Sequence, residues 1–246
     1  MPYTSSTLRA GLLLALGVSG ASLAHAIILP GHVADNMAYS TAVGDGGTSV
    51  SGSGVSAAVI RFGRGGTGLH SVSVFVFQLP DLGPNGVFTA ASFTINVVTG
   101  NNTPPVAGHL DGLGSRSTST VVMGDYFSGP APDPTDATRI MTNFIPNTGN
   151  VANGATFSVS GTALVDYLNA QYASGAGVGR FVLLRISGNG WTDASSLEFA
   201  SADNANAALR PSIDYSFTVI PEPGAAAGLA GVAALGAVAL RRRRRD

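Results

Sequence analysis

Leu69-His70-Ser71-Val72-Ser73-Val74-Phe75-Val76-Phe77-Gln78-Leu79 is the stretch on which the fold turns. Successive side chains of an extended chain point to opposite faces. Val72, Val74 and Val76 therefore share one face, and Ser73, Phe75 and Phe77 the other. Apolar groups dominate both. A strand that is apolar on both faces needs cover on both, which places this one centrally in a layered β structure.

The same period recurs on either side of it. In Ala91–Val98, Phe93, Ile95 and Val97 alternate with Ser92, Thr94 and Asn96. Near the end, Ile213, Tyr215, Phe217 and Val219 alternate with Asp214, Ser216 and Thr218. Arg180–Ser187 is apolar on both faces, a second buried strand. Shorter strands are expected over residues 33–43, 56–62, 156–160 and 197–200, and a short edge strand over 121–127. Thr162–Ala173 is the expected helix: Thr162 caps it, Leu164 and Leu168 share a face, and Ser174-Gly175 stops it. Residues 44–54, 80–86, 99–119 and 128–155 are rich in Gly, Pro, Asn and Asp and read as connections. The expectation is one all-β domain over 27–219, a jelly-roll-like β-sandwich with one short helix.

Both ends of the chain have a different character. Arg9, the apolar run Ala10–Val18 and the small-x-small triplet Ala24-His25-Ala26 have the form of a secretory signal peptide over 1–26. Signal peptidase would cut after Ala26, or alternatively after Ala24. The C-terminal end reads Pro221-Glu222-Pro223-Gly224, then Ala225–Leu240 without a polar side chain, then Arg241, Arg242, Arg243, Arg244 and Arg245 before Asp246. A helix over 225–240 reaches roughly 24 Å, at the short limit of a hydrocarbon core about 30 Å thick. The arginines resist translocation and fix the 241–246 tail in the cytoplasm. The expectation is a transmembrane helix over about 225–240 in the inner membrane, with the proline motif just outside.

This three-part ending resembles the PEP-CTERM sorting signal of Gram-negative bacteria. The resemblance implies processing by an exosortase, a membrane transpeptidase-like enzyme, at or near Pro221-Glu222-Pro223. It also implies delivery to the cell surface or the extracellular polysaccharide matrix. The domain in between is similar to the DNRLRE-type jelly roll of secreted bacterial surface proteins. That similarity lies in V-A-D-N-M-A-Y (33–39), S-V-F-V-F-Q-L-P (73–80) and A-S-F-T-I-N-V (91–97). It continues through V-S-G-T-A-L-V-D-Y-L-N (159–169), R-F-V-L-L-R-I (180–186), L-E-F-A-S (197–201) and R-P-S-I-D-Y-S-F (210–217).

Charge and composition narrow the chemistry. Residues 27–220 hold seven arginines against eleven Asp and one Glu, a net charge of −5. An acidic exported domain argues against a nucleic-acid partner. The chain has no cysteine, hence no disulfide or thiolate metal site, and no lysine nucleophile. Neither a G-x-S-x-G nor an H-E-x-x-H motif is present. His32, His70 and His109 lack ligand spacing and read as surface or hairpin residues. Most Asp residues sit beside Gly, Pro or Asn, where a carboxylate serves a turn. A carboxylate pair for a glycan hydrolase or lyase is the alternative. Asp35, Asp203 and Asn204 are hard oxygen donors that could hold a structural Ca²⁺, or simply form Asx turns. Trp191 and Tyr126 fall in loop contexts and could stack on sugars of a polysaccharide, or cap the core. No catalytic residue is expected, and the reading is a non-catalytic structural or adhesive protein.

Overall fold

The computed structural model describes residues 27–40, 44–51, 58–65, 68–101, 107–129, 131–134, 136–147, 149–173, 177–188, 194–220, 234–235 and 241. The strands are β1 (Ile27–Pro30), β2 (Asn36–Ser40), β3 (Gly44–Asp45), β4 (Ser49–Ser51), β5 (Val59–Arg64), β6 (His70–Gln78) and β7 (Gly86–Asn101). They continue as β8 (Gly108–Arg116), β9 (Phe127–Ser128), β10 (Thr138–Ile145), β11 (Thr156–Ser160), β12 (Phe181–Gly188), β13 (Ser195–Ala200) and β14 (Ser212–Val219). The helix α1 spans Thr162–Ala173. The described residues form an all-β sandwich of jelly-roll type, with α1 as its helix.

β7 joins the two layers. Its first part pairs with β14 and β11, and its last residues, Val97–Asn101, pair with β13. One layer is β1-β14-β7-β11. The other runs from β13 through β5, β6, β12 and β8 to β10. Phe93 of β7 points between the layers. Its ring meets Phe75 and Phe77 of β6 edge-on at 5.6 and 5.9 Å, and stacks on Phe144 of β10 at 5.8 Å. Helix α1 buries Leu164, Tyr167 and Leu168 in the same core.

β6 behaves as its double-sided pattern requires. Phe75 and Phe77 enter the core between the layers. Val72, Val74 and Val76 enter a second cluster on the outer face, with Ala38, Leu113, Val121, Tyr126 and Leu183. Ala34, Val50 of β4 and Ala137 pack against that cluster.

The expected connections contain strands. Residues 99–119 hold β8, and 128–155 hold β10. The segment 44–54, expected as a loop, contains β3 and β4. The expected strand over 121–127 is instead a 3₁₀ turn, Met123–Asp125, followed by the two-residue β9. β1 was not expected at all. The physical reason is clearest in β8, where glycines serve packing. A Cβ on Gly108 would lie 2.7 Å from the Phe62 ring, and one on Gly112 only 2.2 Å from the Tyr167 ring. Tyr167 cannot swing away freely, because its hydroxyl accepts from Gly114 N–H at 2.9 Å and donates to Leu183 O at 3.2 Å. Gly112→Ala should therefore cost about 1–3 kcal/mol by overpacking. Chemical denaturation measures it, and an unchanged midpoint would show that the helix has room to shift.

Candidate functional site

The densest chemistry lies on the outer face of the β6–β12–β8 sheet, beyond the valine patch. Period-two alternation puts Arg185 and Ser187 of β12 on the same face as Leu183, with Asp111 of β8 directly opposite Arg185 in the ladder. Arg185 is 0% exposed. Its Nη2 donates to Asp133 Oδ2 at 3.0 Å and to Asp111 Oδ2 at 3.4 Å, and its Nη1 donates to the Asp125 carbonyl at 3.0 Å. The guanidinium stands 5.4 Å from the Phe127 ring centroid. Ser187 Oγ donates to Asp111 Oδ2 at 2.7 Å, and Arg139 of β10 donates to Asp111 Oδ1. Arg116 of β8 pairs with the Asp125 carboxylate, which also accepts Val122 N–H at 2.7 Å.

Buried Asp111, Asp125 and Asp133 are thus set against Arg185, Arg139 and Arg116. Such charges persist in a dry environment only when paired and hydrogen-bonded. The acids come from both sides: Asp111 from the sheet, Asp125 and Asp133 from the segment crossing it. The arrangement fastens residues 121–137 to the sheet. Each of these carboxylates is held by a guanidinium. The sequence reading placed these acids at turns. Asp133, in a Pro-Asp-Pro setting, is instead 3% exposed. Only Arg185, a charged residue inside a run that is apolar on both faces, could signal a buried network from sequence.

Each sequence candidate has a definite place. Tyr126 is a correction: it is 0% exposed, and burial pushes its phenol up to about 12. It belongs to the second core cluster and presents no face to a sugar. Asp35 does come next to the 202–204 turn, and both of its oxygens take main-chain N–H groups, Val76 at 2.7 Å and Ala202 at 3.1 Å. Burial and nearby Asp203 push its carboxyl well above the usual range, against the pull of those two amides. Asn204 accepts Asn206 N–H at 3.0 Å and donates to Ala58 O at 2.9 Å. Asp203 is exposed. Among the described residues no three His, Cys, Asp or Glu side chains form a metal-holding group. Trp191, Ala24, Ala26, Pro221, Glu222, Pro223, Gly224 and Arg242–Arg245 lie outside the described residues; Arg241 is described and exposed. The expected membrane span also lies outside them, save Ala234 and Leu235, and no helix among the described residues is long and apolar enough to cross a membrane.

The histidines stay apart, but two are not at the surface. His70 and His109 are buried. Burial and nearby Arg64 lower the pKa of His70. Burial and Arg139 lower that of His109, with Asp111 partly opposing, while its Nδ1 accepts Asn143 N–H at 3.0 Å. Neutral imidazole is the folded form. Both groups therefore contribute stability above about pH 6.5 that is lost as pH falls toward their folded values. Ring-proton NMR should show both titrating below about 6.5; a midpoint at or above it would contradict the burial argument.

An open cleft of about 640 Å³ lies between the 80–86 turn and the end of α1, lined by Asp81, Pro84, Asn85, Asn169, Tyr172 and Val178 among others. Its polar groups are engaged locally. Asn169 pairs with both main-chain groups of Phe88, Tyr172 Oη donates to Pro80 O at 2.7 Å, and Asp81 accepts Gly83 N–H.

No family model matches the chain, and no curated protein matches it either. Among solved structures it is similar to a xylan-binding module CBM15, at 12% identity and a TM-score of 0.36, over 78% of this chain and 97% of that one. It is also similar to a xylanase 10C from Cellvibrio japonicus in complex with xylopentaose, at 12% identity and a TM-score of 0.34. That match covers 77% of this chain but only 28% of the xylanase chain. At this level of overlap neither likeness carries an argument about the present chain.

Proposed function

We propose that this is an exported, non-catalytic β-sandwich, sorted through its Pro-Glu-Pro tail by an exosortase to the cell surface or extracellular matrix of a Gram-negative bacterium. One observation carries the reading: the strand that leads into the Pro-Glu-Pro motif is anchored on both sides. β14 ends at Val219 and pairs with β1 (Ile27–Pro30) and β7, and Ile220 N–H closes on Asn85 O at 3.1 Å, directly before Pro221. A firmly paired strand that delivers the motif supports a tail meant to be cut beside the domain. The pairing of its buried acids with arginines supports a structural rather than a catalytic role.

Extracellular polysaccharide is the proposed partner, through Trp191. Trp191→Ala that retains its fold should lose retention on matrix polysaccharide. Equal retention would remove that residue from the proposal. The sorting reading is tested by mass spectrometry of the native extracellular protein. The expected product starts at Ile27 and lacks Arg241–Arg245. An intact C-terminus on the exported protein would overturn it.

A further inference from the structure

We infer that the last rungs of β14 gate the cut at Pro-Glu-Pro, so that the tail is released only when the strand end peels from β7; the inference rests on the sorting function proposed above. Val219 lies opposite Gly86, Thr218 opposite Val87, and Ile220 N–H is bonded to Asn85 O. The motif begins at the next residue. A processing enzyme takes up its substrate as extended chain, through main-chain hydrogen bonds and side-chain pockets. Each main-chain group can serve one such ladder at a time. Residues just upstream of the motif are already committed to β7.

The gate is soft at its tip and firm behind it. Val219 and Ile220 are 49% and 54% exposed, so little packing resists their release. Phe217 packs against the main core, and the side chain of Asn169 clamps its partner Phe88. Peeling therefore stops at Phe217 and frees Thr218–Ile220, about 10 Å of extended chain. Cleavage of a transiently opened segment follows the open population when reclosing is fast. Processing should accordingly be slower than for an unstructured tail.

Two variants test this in the full-length chain by pulse–chase in the producing cells. The protein has no cysteine, so Val87→Cys with Thr218→Cys gives a unique cross-strand pair at directly opposed positions. The oxidised form should be cut at least about tenfold more slowly than wild type, and added reductant should restore the rate. A Gly-Ser spacer inserted between Ile220 and Pro221 should speed the cut. Equal rates for oxidised and reduced forms, or a spacer that leaves the rate unchanged or lowers it, would overturn the gate while leaving sorting intact. A wild-type chain that never loses its tail, with or without reductant, would overturn both.

Discussion

Arg185→Met should lower the free energy of unfolding by about 3–5 kcal/mol, a large share of the roughly 5–15 kcal/mol that holds a typical domain together. The methionine fills much of the same space but leaves Asp111 and Asp133 facing a dry region without the Arg185 guanidinium. It also strips the donor from the Asp125 carbonyl and the cation from the Phe127 ring. Residues 121–137 should loosen first, because their acids and carbonyls hold them to β12. Limited proteolysis should then cut this segment under conditions where the rest of the sandwich is intact. Adding Asp133→Asn to Arg185→Met should recover part of the loss, since the cost lies in a buried carboxylate that has lost its guanidinium rather than in the missing pair itself. Urea denaturation of the single and double variants measures both effects. If the single substitution costs under about 1 kcal/mol, the Arg185 contacts are ornamental and the segment is held by its others, the Arg116–Asp125 pair and the packing of Val121 and Tyr126 among them.

This network also marks the boundary of what the sequence discloses. Where one face is wet and the other dry, or both are dry, side-chain alternation is enough: Leu69–Leu79 and Ala91–Val98 became β6 and part of β7, and the helix at Thr162–Ala173 follows from its cap, its face and its stop. Local patterning fails where a distant element dictates the residue. Gly112 looks like a turn residue and is the bed for Tyr167, fifty-odd positions along the chain. β10 hides because its ladder with β8 slips twice and Asn143 adopts a φ of 52°, which breaks the period that would have betrayed it. Asp133 looks like a solvated turn between prolines and is the mate of Arg185. Tyr126 sits in a loop yet under the core, because that loop is itself a cover. No nearest-neighbour rule reaches these facts, since each depends on pairing across long sequence separations. The two terminal segments proposed as trafficking signals are the opposite case: that reading comes from their own local composition and owes nothing to the fold except that β14 ends two residues before Pro221.

Phe93→Ala should match the arginine substitution in size by a different route. The ring is wholly buried and touches Phe75, Phe77 and Phe144, so it contacts β6 and β10 of the facing layer from its place on β7. Removing it forfeits apolar burial and leaves a void that the surrounding strands cannot easily close, at a cost of about 3–5 kcal/mol. Phe93→Leu fills most of the void and should recover roughly half of that. The two routes differ in their response to salt. Breaking the Arg185 cluster leaves buried carboxylates short of a guanidinium, whereas the Phe93 void is apolar, so raising sulfate should rescue the Phe93 variant by strengthening burial. Calorimetry of both variants over a sulfate series reads this directly. A Phe93→Ala protein that melts within a degree or two of wild type would mean that the layers are held mainly by the β7 crossover and not by this aromatic contact.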